Sequence, residues 1–288
     1  MEANAGQVIG VLGGSGLYDI AGLTDVEEVR LDTPFGEPSD AYVTGVLEGR
    51  TLVFLPRHGR GHRISPSEVN YRANIHGFKQ LGAQWLISIS AVGSMREEIK
   101  PGDVVIVDQL FDRTRDRPRT FFGDGIVGHI EFADPMCPDL SRLLGEVARE
   151  AGARVHEGGT YICIEGPQFS TRAESRIYRS WGVDVIGMTN IPEAKLAREA
   201  GLCYATVAMS TDYDCWHEAE DDVSVEAIVQ QLQRNAELAR QIIRQAALRI
   251  PTRRSCRCAD AVKNAVITSP DAMDPATREK LRLILGEE

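Results

Sequence analysis

The sequence holds no apolar run long enough to cross a bilayer, which excludes a helical membrane protein. The first residues, Met1 to Gln7, are small and polar, with no basic start ahead of an apolar stretch, so no secretory signal is expected and a cytoplasmic setting is. Surplus positive charge is lacking as well. A formal net charge of -10 argues against a protein that wraps nucleic acid, because phosphate backbones are held chiefly by Lys and Arg. An anionic small molecule would therefore need a local cationic pocket. The six cysteines (Cys137, Cys163, Cys203, Cys215, Cys256 and Cys258) have no CxxC spacing and no matching His cluster, so neither a structural zinc nor any other metal is expected. Cys163 and Cys203 lie in apolar runs and read as small core residues. Cys256 and Cys258, two apart, could oxidise to each other, although so tight a ring would be strained; the alternative reading is free thiols in a reducing compartment. Internal repeats, low-complexity linkers and composition breaks are also missing. One domain over residues 1–288 is expected, with a core of about 8–250 and a docking tail of 251–288.

What is present is enough to bury a large core: 43% hydrophobic residues in 288. Strand-like runs alternate with helix-like ones, the pattern of an α/β protein with a central mixed, mostly parallel sheet flanked by helices. Val8–Leu12, Leu52–Leu55, Trp85–Ala91, Val104–Leu110, Tyr161–Ile164, Val183–Met188 and Leu202–Ser210 read as strands, most of them too uniformly apolar to have a wet face. Ser65-Pro66-Ser67-Glu68 reads as the cap of a helix ending at Gly82; Thr171 with Glu174, and Asn190 with Pro192 and Glu193, repeat the device. A long helix is expected from Ser224 to about Arg249, stopped by Pro251, and a short one from Pro275 to Leu285. Arg113 to Arg119, interleaved with Asp112 and Asp116, and Arg253 to Arg257 read as solvated loops. The first of these joins Gly123 to Gly128 in one long excursion before Asp139.

The chemistry concentrates at strand ends. Thr211-Asp212-Tyr213-Asp214 closes an apolar run with two carboxylates, able to hold a metal, share a proton or read a nitrogen-rich base. Gly13-Gly14-Ser15-Gly16 offers either an anion cradle of backbone amides or a plain tight turn. No Gly-Lys-Ser/Thr follows it, and the third glycine of a dinucleotide fingerprint is absent. Arg57-His58 suits a phosphate through a fork of guanidinium donors, whereas the glycines between His58 and His62 argue against a helical zinc pair. Ser90-Ala91-Val92-Gly93-Ser94 and Met188-Thr189-Asn190 place hydroxyls beside outward backbone amides.

Together with Asp32-Thr33-Pro34-Phe35-Gly36, Val69-Asn70-Tyr71-Arg72-Ala73-Asn74, Pro101-Gly102-Asp103, Glu165-Gly166-Pro167 and Arg172-Ala173-Glu174, these motifs resemble, in order from Val8 to Ala247, the trimeric purine nucleoside phosphorylase and methylthioadenosine phosphorylase family. The resemblance implies a single-domain nucleoside phosphorylase fold and phosphorolysis, in which inorganic phosphate, a co-substrate, displaces a purine from C1′ of a ribose without a cofactor. It implies that Ser15, Arg57, His58, Ser90, Thr189 and the Ala91 backbone bind phosphate and that Met188 lies against the ribose. Asp212, supported by Asp214, would protonate purine N7, a role that needs its carboxyl neutral through burial and the neighbouring acid.

Three positions imply 5′-methylthioadenosine as the substrate. Asp212 stands where the hypoxanthine-preferring branch has Asn, Ser170 where it has Glu, and Val225 where a His would meet a 5′-hydroxyl. The alternatives are a broad purine nucleoside phosphorylase accepting adenosine or inosine and, in another class, a dinucleotide-binding oxidoreductase built on the glycine turn. The resemblance further implies a homotrimer, with His129 completing a neighbouring subunit's pocket, and leaves a dimer of trimers open.

Overall fold

Why the chain needs two helical layers is visible in its strands, whose alternate side chains feed two separate cores. The computed structural model describes residues 7–217 and 225–287. Among them are eleven strands, β1 (Val8–Gly13), β2 (Thr24–Val29), β3 (Tyr42–Leu47), β4 (Arg50–Pro56), β5 (Ala83–Ser94), β6 (Val104–Ile106), β7 (Gln109–Arg113), β8 (Val155–Glu157), β9 (Thr160–Ile164), β10 (Val185–Gly187) and β11 (Cys203–Tyr213). Six α-helices accompany them: α1 (Tyr71–Gln80), α2 (Pro138–Glu150), α3 (Arg172–Ser180), α4 (Asn190–Glu199), α5 (Val225–Arg249) and α6 (Pro275–Leu285). In β11, Ala205, Val207 and Met209 join one buried cluster with α2 (Leu140, Leu144) and α5 (Ile242, Ile243), while Tyr204 and Ala208 join another with α1 (Ile75, Phe78), α4 (Leu196) and α6 (Leu281, Ile284). The two-residue period of a strand divides the apolar content between the faces.

The sheet runs β2-β3-β4-β1-β5-β10-β9-β7, with β11 on β5, β6 on β11 and β8 on β6. Parallel pairs (β1 with β4 and β5, β11 with β5, β9 with β7 and β10) mix with antiparallel ones, as in β2–β3–β4. The mixed, mostly parallel α/β sheet read from the sequence is present; β2 and β3 of its antiparallel edge were not read as strands. Solvent-facing β2 (TDVEEV) carries no apolar signature.

Several boundaries differ from the sequence reading. Val104–Leu110 is two strands, because Asp108 and Gln109 both turn their amides to Gly159 O and Asp108 Oδ1 accepts from Gly159 N. Ser65 and Glu68 do bond each other, but they close a turn; α1 starts at Tyr71 with Asn70 Oδ1 accepting from Ala73 N. At α4 the N-cap is Thr189, without a side-chain cap bond, and Ile191 is extended. The Thr171–Glu174 capping box is as expected. Ser224 lies outside the described residues. The tail packs on the body through Leu281 and Ile284, and Gly128 bridges Val266.

The long excursion between β7 and α2 is tied to α4 by Glu199, whose carboxylate accepts from Thr120 Oγ1 and Phe121 N, each at 2.7 Å. Burial pushes this carboxyl from its ordinary 4.5 up to about 7, against those two hydrogen bonds and the pull of Lys195. The folded chain thus holds the proton more tightly than the unfolded one. The stabilisation is complete below the unfolded value and is lost as pH rises through about 4.5 to 7, up to roughly 3 kcal/mol. Denaturant unfolding across this window should show the loss in the native chain and a flattened slope in Glu199→Gln.

Candidate active site

The site follows from a fork in the sheet. On one edge β5 pairs with β1 only as far as Leu12 opposite Ser88, and β10 joins that edge only at Gly93 and Ser94. Among the described residues no strand pairs with the stretch 89–92 on that edge, which opens a crevice at carboxyl-terminal strand ends, where ligands of open α/β sheets bind.

Arg57 fills the root of this fork. It follows β4, and its Nη2 donates to Leu12 O, Ser88 Oγ and Glu193 Oε1, its Nη1 to Ile89 O, and its Nε to Glu193 Oε2 at 2.7 Å. Both partners of the ion pair are buried, and Glu193 also accepts from Ser88 Oγ and Tyr204 OH. The sequence reading assigned the whole guanidinium fork to an anion. In the structure most of its donors hold β1, β5 and α4 together, and Nη1 keeps one hydrogen outside these bonds.

Three hydroxyls meet at the crevice. Ser90 Oγ lies 3.1 Å from Tyr161 OH and 3.4 Å from Thr189 Oγ1, and Thr189 N faces Tyr161 OH. β5, the start of α4 and β9 supply them, and burial pushes the Tyr161 phenol up to about 12, so it stays a donor. Ala91, next along β5, is exposed, as are Gly14 and Ser15 in the turn after β1. A Cβ at Gly14 or Gly16 would meet nothing within 4 Å, and Gly16 has φ +94, so the turn combines open space with a glycine-dependent conformation.

His58 Nδ1 lies 2.9 Å from Ile64 O; since a carbonyl only accepts, Nδ1 carries the proton and Nε2 is an acceptor. Burial and the Arg57 charge lower its pKa to about 4, leaving the ring neutral at pH 7. It stacks on His62 with ring centroids 4.4 Å apart.

The acid pair sits at the far end of the same crevice. A bulge between Ser210 and Asp212 re-aims the end of β11, so that Asp212 pairs with Gly93 and Thr211 Oγ1 donates to Asp212 Oδ2 and Val92 O. A Cβ at Gly93 would come within 3.1 Å of Asp212 Oδ1. Asp212 is half-buried, whereas Asp214 is buried, its Oδ2 without a hydrogen bond among the described residues, and burial raises its pKa. Burial is thus deeper at Asp214 than at Asp212.

Ser170 lies beside the pair: its carbonyl accepts from Cys215 Sγ, and its buried Oγ has no partner among the described residues. Met188 packs over Gly166, where an added Cβ would lie 2.6 Å from its sulfur. Val225 is the first residue of α5, but its side chain lies outside the described ones. His129 is exposed, its amide bonded to Ala265 O.

Arg117 corrects the reading of Arg113–Arg119 as a solvated loop. It is buried, and it donates to Met188 O, Ile191 O and Glu165 O at 2.6 to 2.8 Å. In sequence nothing separates it from its exposed neighbours Arg115 and Arg119. Tyr161 and Glu193 were missed too, one resembling a core strand residue and the other a helix-capping acid.

The sequence matches the phosphorylase superfamily over residues 8–247. It is 63% identical over 281 residues to the S-methyl-5′-thioadenosine phosphorylase of Geobacter sulfurreducens, covering 97% of this chain and 98% of that protein. Among solved structures, a methylthioadenosine phosphorylase from an Antarctic soil metagenomic library superposes with a TM-score of 0.93 at 49% identity, covering 98% of this chain and 99% of the other. The methylthioadenosine phosphorylase of Schistosoma mansoni in complex with adenine gives 0.83 at 37% identity, covering 89% and 96%.

Proposed function

This chain belongs to the phosphorylase superfamily, and from that premise we propose that it cleaves 5′-methylthioadenosine with inorganic phosphate to adenine and 5-methylthioribose 1-phosphate. The observation that carries the substrate choice is an aspartate, Asp212, at the crevice end of β11 beside Gly93, with a short serine, and not a glutamate, at position 170 beside the pair. An aspartate suits the exocyclic amine of adenine, where a 6-oxopurine presents a carbonyl.

In this reading phosphate lies among Ser15, His58, Ser90, the Ala91 backbone and Thr189, with Arg57 adding positive charge and one N–H. Neutral His58 accepts the hydroxyl of monohydrogen phosphate at Nε2. The three residues from Ser90 to Gly93 span roughly 10 Å, room for a pentose between anion and base. As the glycosidic bond breaks, C1′ gains positive character, which the adjacent phosphate offsets while supplying the nucleophile. Electron density moves to purine N7, where Asp212 delivers a proton. Asp214 backs it from the buried side, and the Met188 side chain lies against the ribose. The reaction as written needs no cofactor and no metal.

We infer a homotrimer in which His129, exposed on the long excursion, reaches a neighbouring pocket, working in the cytoplasm; no helix among the described residues is long and apolar enough to cross a membrane. Substrate ranking tests the assignment. With phosphate and without nicotinamide, methylthioadenosine should turn over with a higher kcat/KM than adenosine, and adenosine higher than inosine. Faster release of hypoxanthine from inosine would overturn it, and dependence on a nicotinamide cofactor would revive the oxidoreductase reading. Ser90→Ala should raise the KM for phosphate about 10-fold or more, the cost of one hydrogen bond to a charged group, and leave that for the nucleoside nearly unchanged. Phosphate titrations at saturating nucleoside measure it.

A further inference from the structure

Four of the six cysteines, scattered over more than a hundred residues of sequence, converge on one point. The Sγ atoms of Cys137, Cys203, Cys256 and Cys258 all lie within 4.8 Å of one another. Cys203 and Cys256 approach to 3.2 Å, a non-bonded distance, well beyond the 2.05 Å or so of a disulfide. The four come from three separate pieces of chain: the N-cap of α2, the first residue of β11, and a short 3₁₀ turn, Arg257–Asp260, with the residue before it. Three of the thiols are buried and Cys256 is partly so.

We propose that these cysteines form a tetrathiolate site for a soft, tetrahedral divalent cation, zinc being the best fit. Zinc bound to four thiolates at about 2.3 Å spaces the sulfurs about 3.8 Å apart, within the separations found here. A pair of disulfides needs sulfurs close two by two and does not call for all four to converge. The surroundings favour the negative charge of such a centre. Cys137 sits at the N-terminus of the thirteen-residue α2, where backbone amides point outward without a side-chain cap. Arg198 Nη2 donates to Asp134 O at 2.6 Å and to Met136 O, which brings a positive charge to the segment just ahead of Cys137.

The backbone is built for the approach. Gly201 has φ +67, a backbone conformation that L side chains rarely adopt, and the carbonyls of Cys258 and Ala259 lie in van der Waals range of it, so the turn before β11 meets the tail directly. Arg254 Nη1 fixes the same junction by donating to Gly201 O at 2.7 Å. Sequence spacing gave no sign of this, because the motif is assembled by the fold. The cation would clamp the tail to α2 and β11. Its distance from the proposed chemistry is large: Cys203 begins β11 and Asp212 lies nine residues on, about 30 Å along the strand.

The test is metal content per chain in full-length protein purified with its thiols kept reduced and supplied with zinc alone. About one zinc per chain is expected, released stoichiometrically by a mercurial reagent. Cobalt exchanged into the site should show thiolate-to-metal charge transfer and the intense visible bands of tetrahedral coordination. Cys258→Ser should abolish binding and lower Tm, with kcat on methylthioadenosine unchanged. If Cys258→Ser fails to fold, Cys256→Ser, on the least buried ligand, should bind cobalt with a weakened, shifted spectrum. Reduced protein that takes up neither zinc nor cobalt overturns the proposal, as does a native mass four hydrogens short of the reduced chain with no metal bound.

Discussion

Asp212→Ala should lower kcat on methylthioadenosine by about 10²- to 10⁴-fold, the range over which a positioned general acid acts. The KM for phosphate should hardly move, because the hydroxyls of Ser90 and Thr189 lie further down the crevice, on different elements. Asp212→Asn separates protonation from recognition. The amide keeps the shape and can donate to a 6-oxopurine, but it cannot deliver a proton. Inosine should therefore gain on adenosine by on the order of 10- to 100-fold in relative kcat/KM, while absolute adenine release slows. Steady-state kinetics on both nucleosides measures the ratio, and an unchanged profile would contradict the role given to Asp212. Asp214→Asn should have the smaller effect of the two, since Asp214 faces the interior.

The second large effect concerns stability. Glu193→Ala removes the only carboxylate bonded to the buried Arg57 among the described residues and should destabilise the chain by about 3 to 5 kcal/mol, the cost of leaving one charge of a buried pair uncompensated. The loss extends beyond one bond, because Glu193 also accepts from Ser88 and Tyr204. Ser88 sits where β1 leaves β5, so the fork itself loosens. Denaturant unfolding gives the magnitude. Glu193→Gln, which keeps an acceptor but not the charge, should lose less. A destabilisation under about 1 kcal/mol in Glu193→Ala would show that Arg57 is held mainly by Leu12, Ser88 and Ile89.

Particular residues show what could be read before folding. Ser15 and Thr189 could be placed just past strands from sequence, because hydroxyls and glycines at the ends of apolar runs have a local meaning: a strand stops and its backbone groups turn outward; Ser90 was placed near a strand end, but β5 runs on to Ser94. The place of Asp212 near the end of β11 could be read for the same reason. Arg117 was not, since its neighbours share its charge and only the packing of the excursion against Met188 and Ile191 distinguishes it. Glu193 had the position of a capping acid, and only the approach of α4 to β4 makes it the partner of Arg57.

From the sequence alone came the α/β class, the strand ends that carry chemistry, and the substrate class implied by its motifs, because strand period, glycine turns and capping residues act over a few neighbours. Tertiary structure decided the fork that opens the crevice, the bulge before Asp212 and the deeper burial of Asp214, the commitment of most Arg57 donors to Glu193 and the strand ends, and the meeting of four distant thiols. Each depends on groups far apart in the chain being desolvated together, and burial of that kind has no local signature.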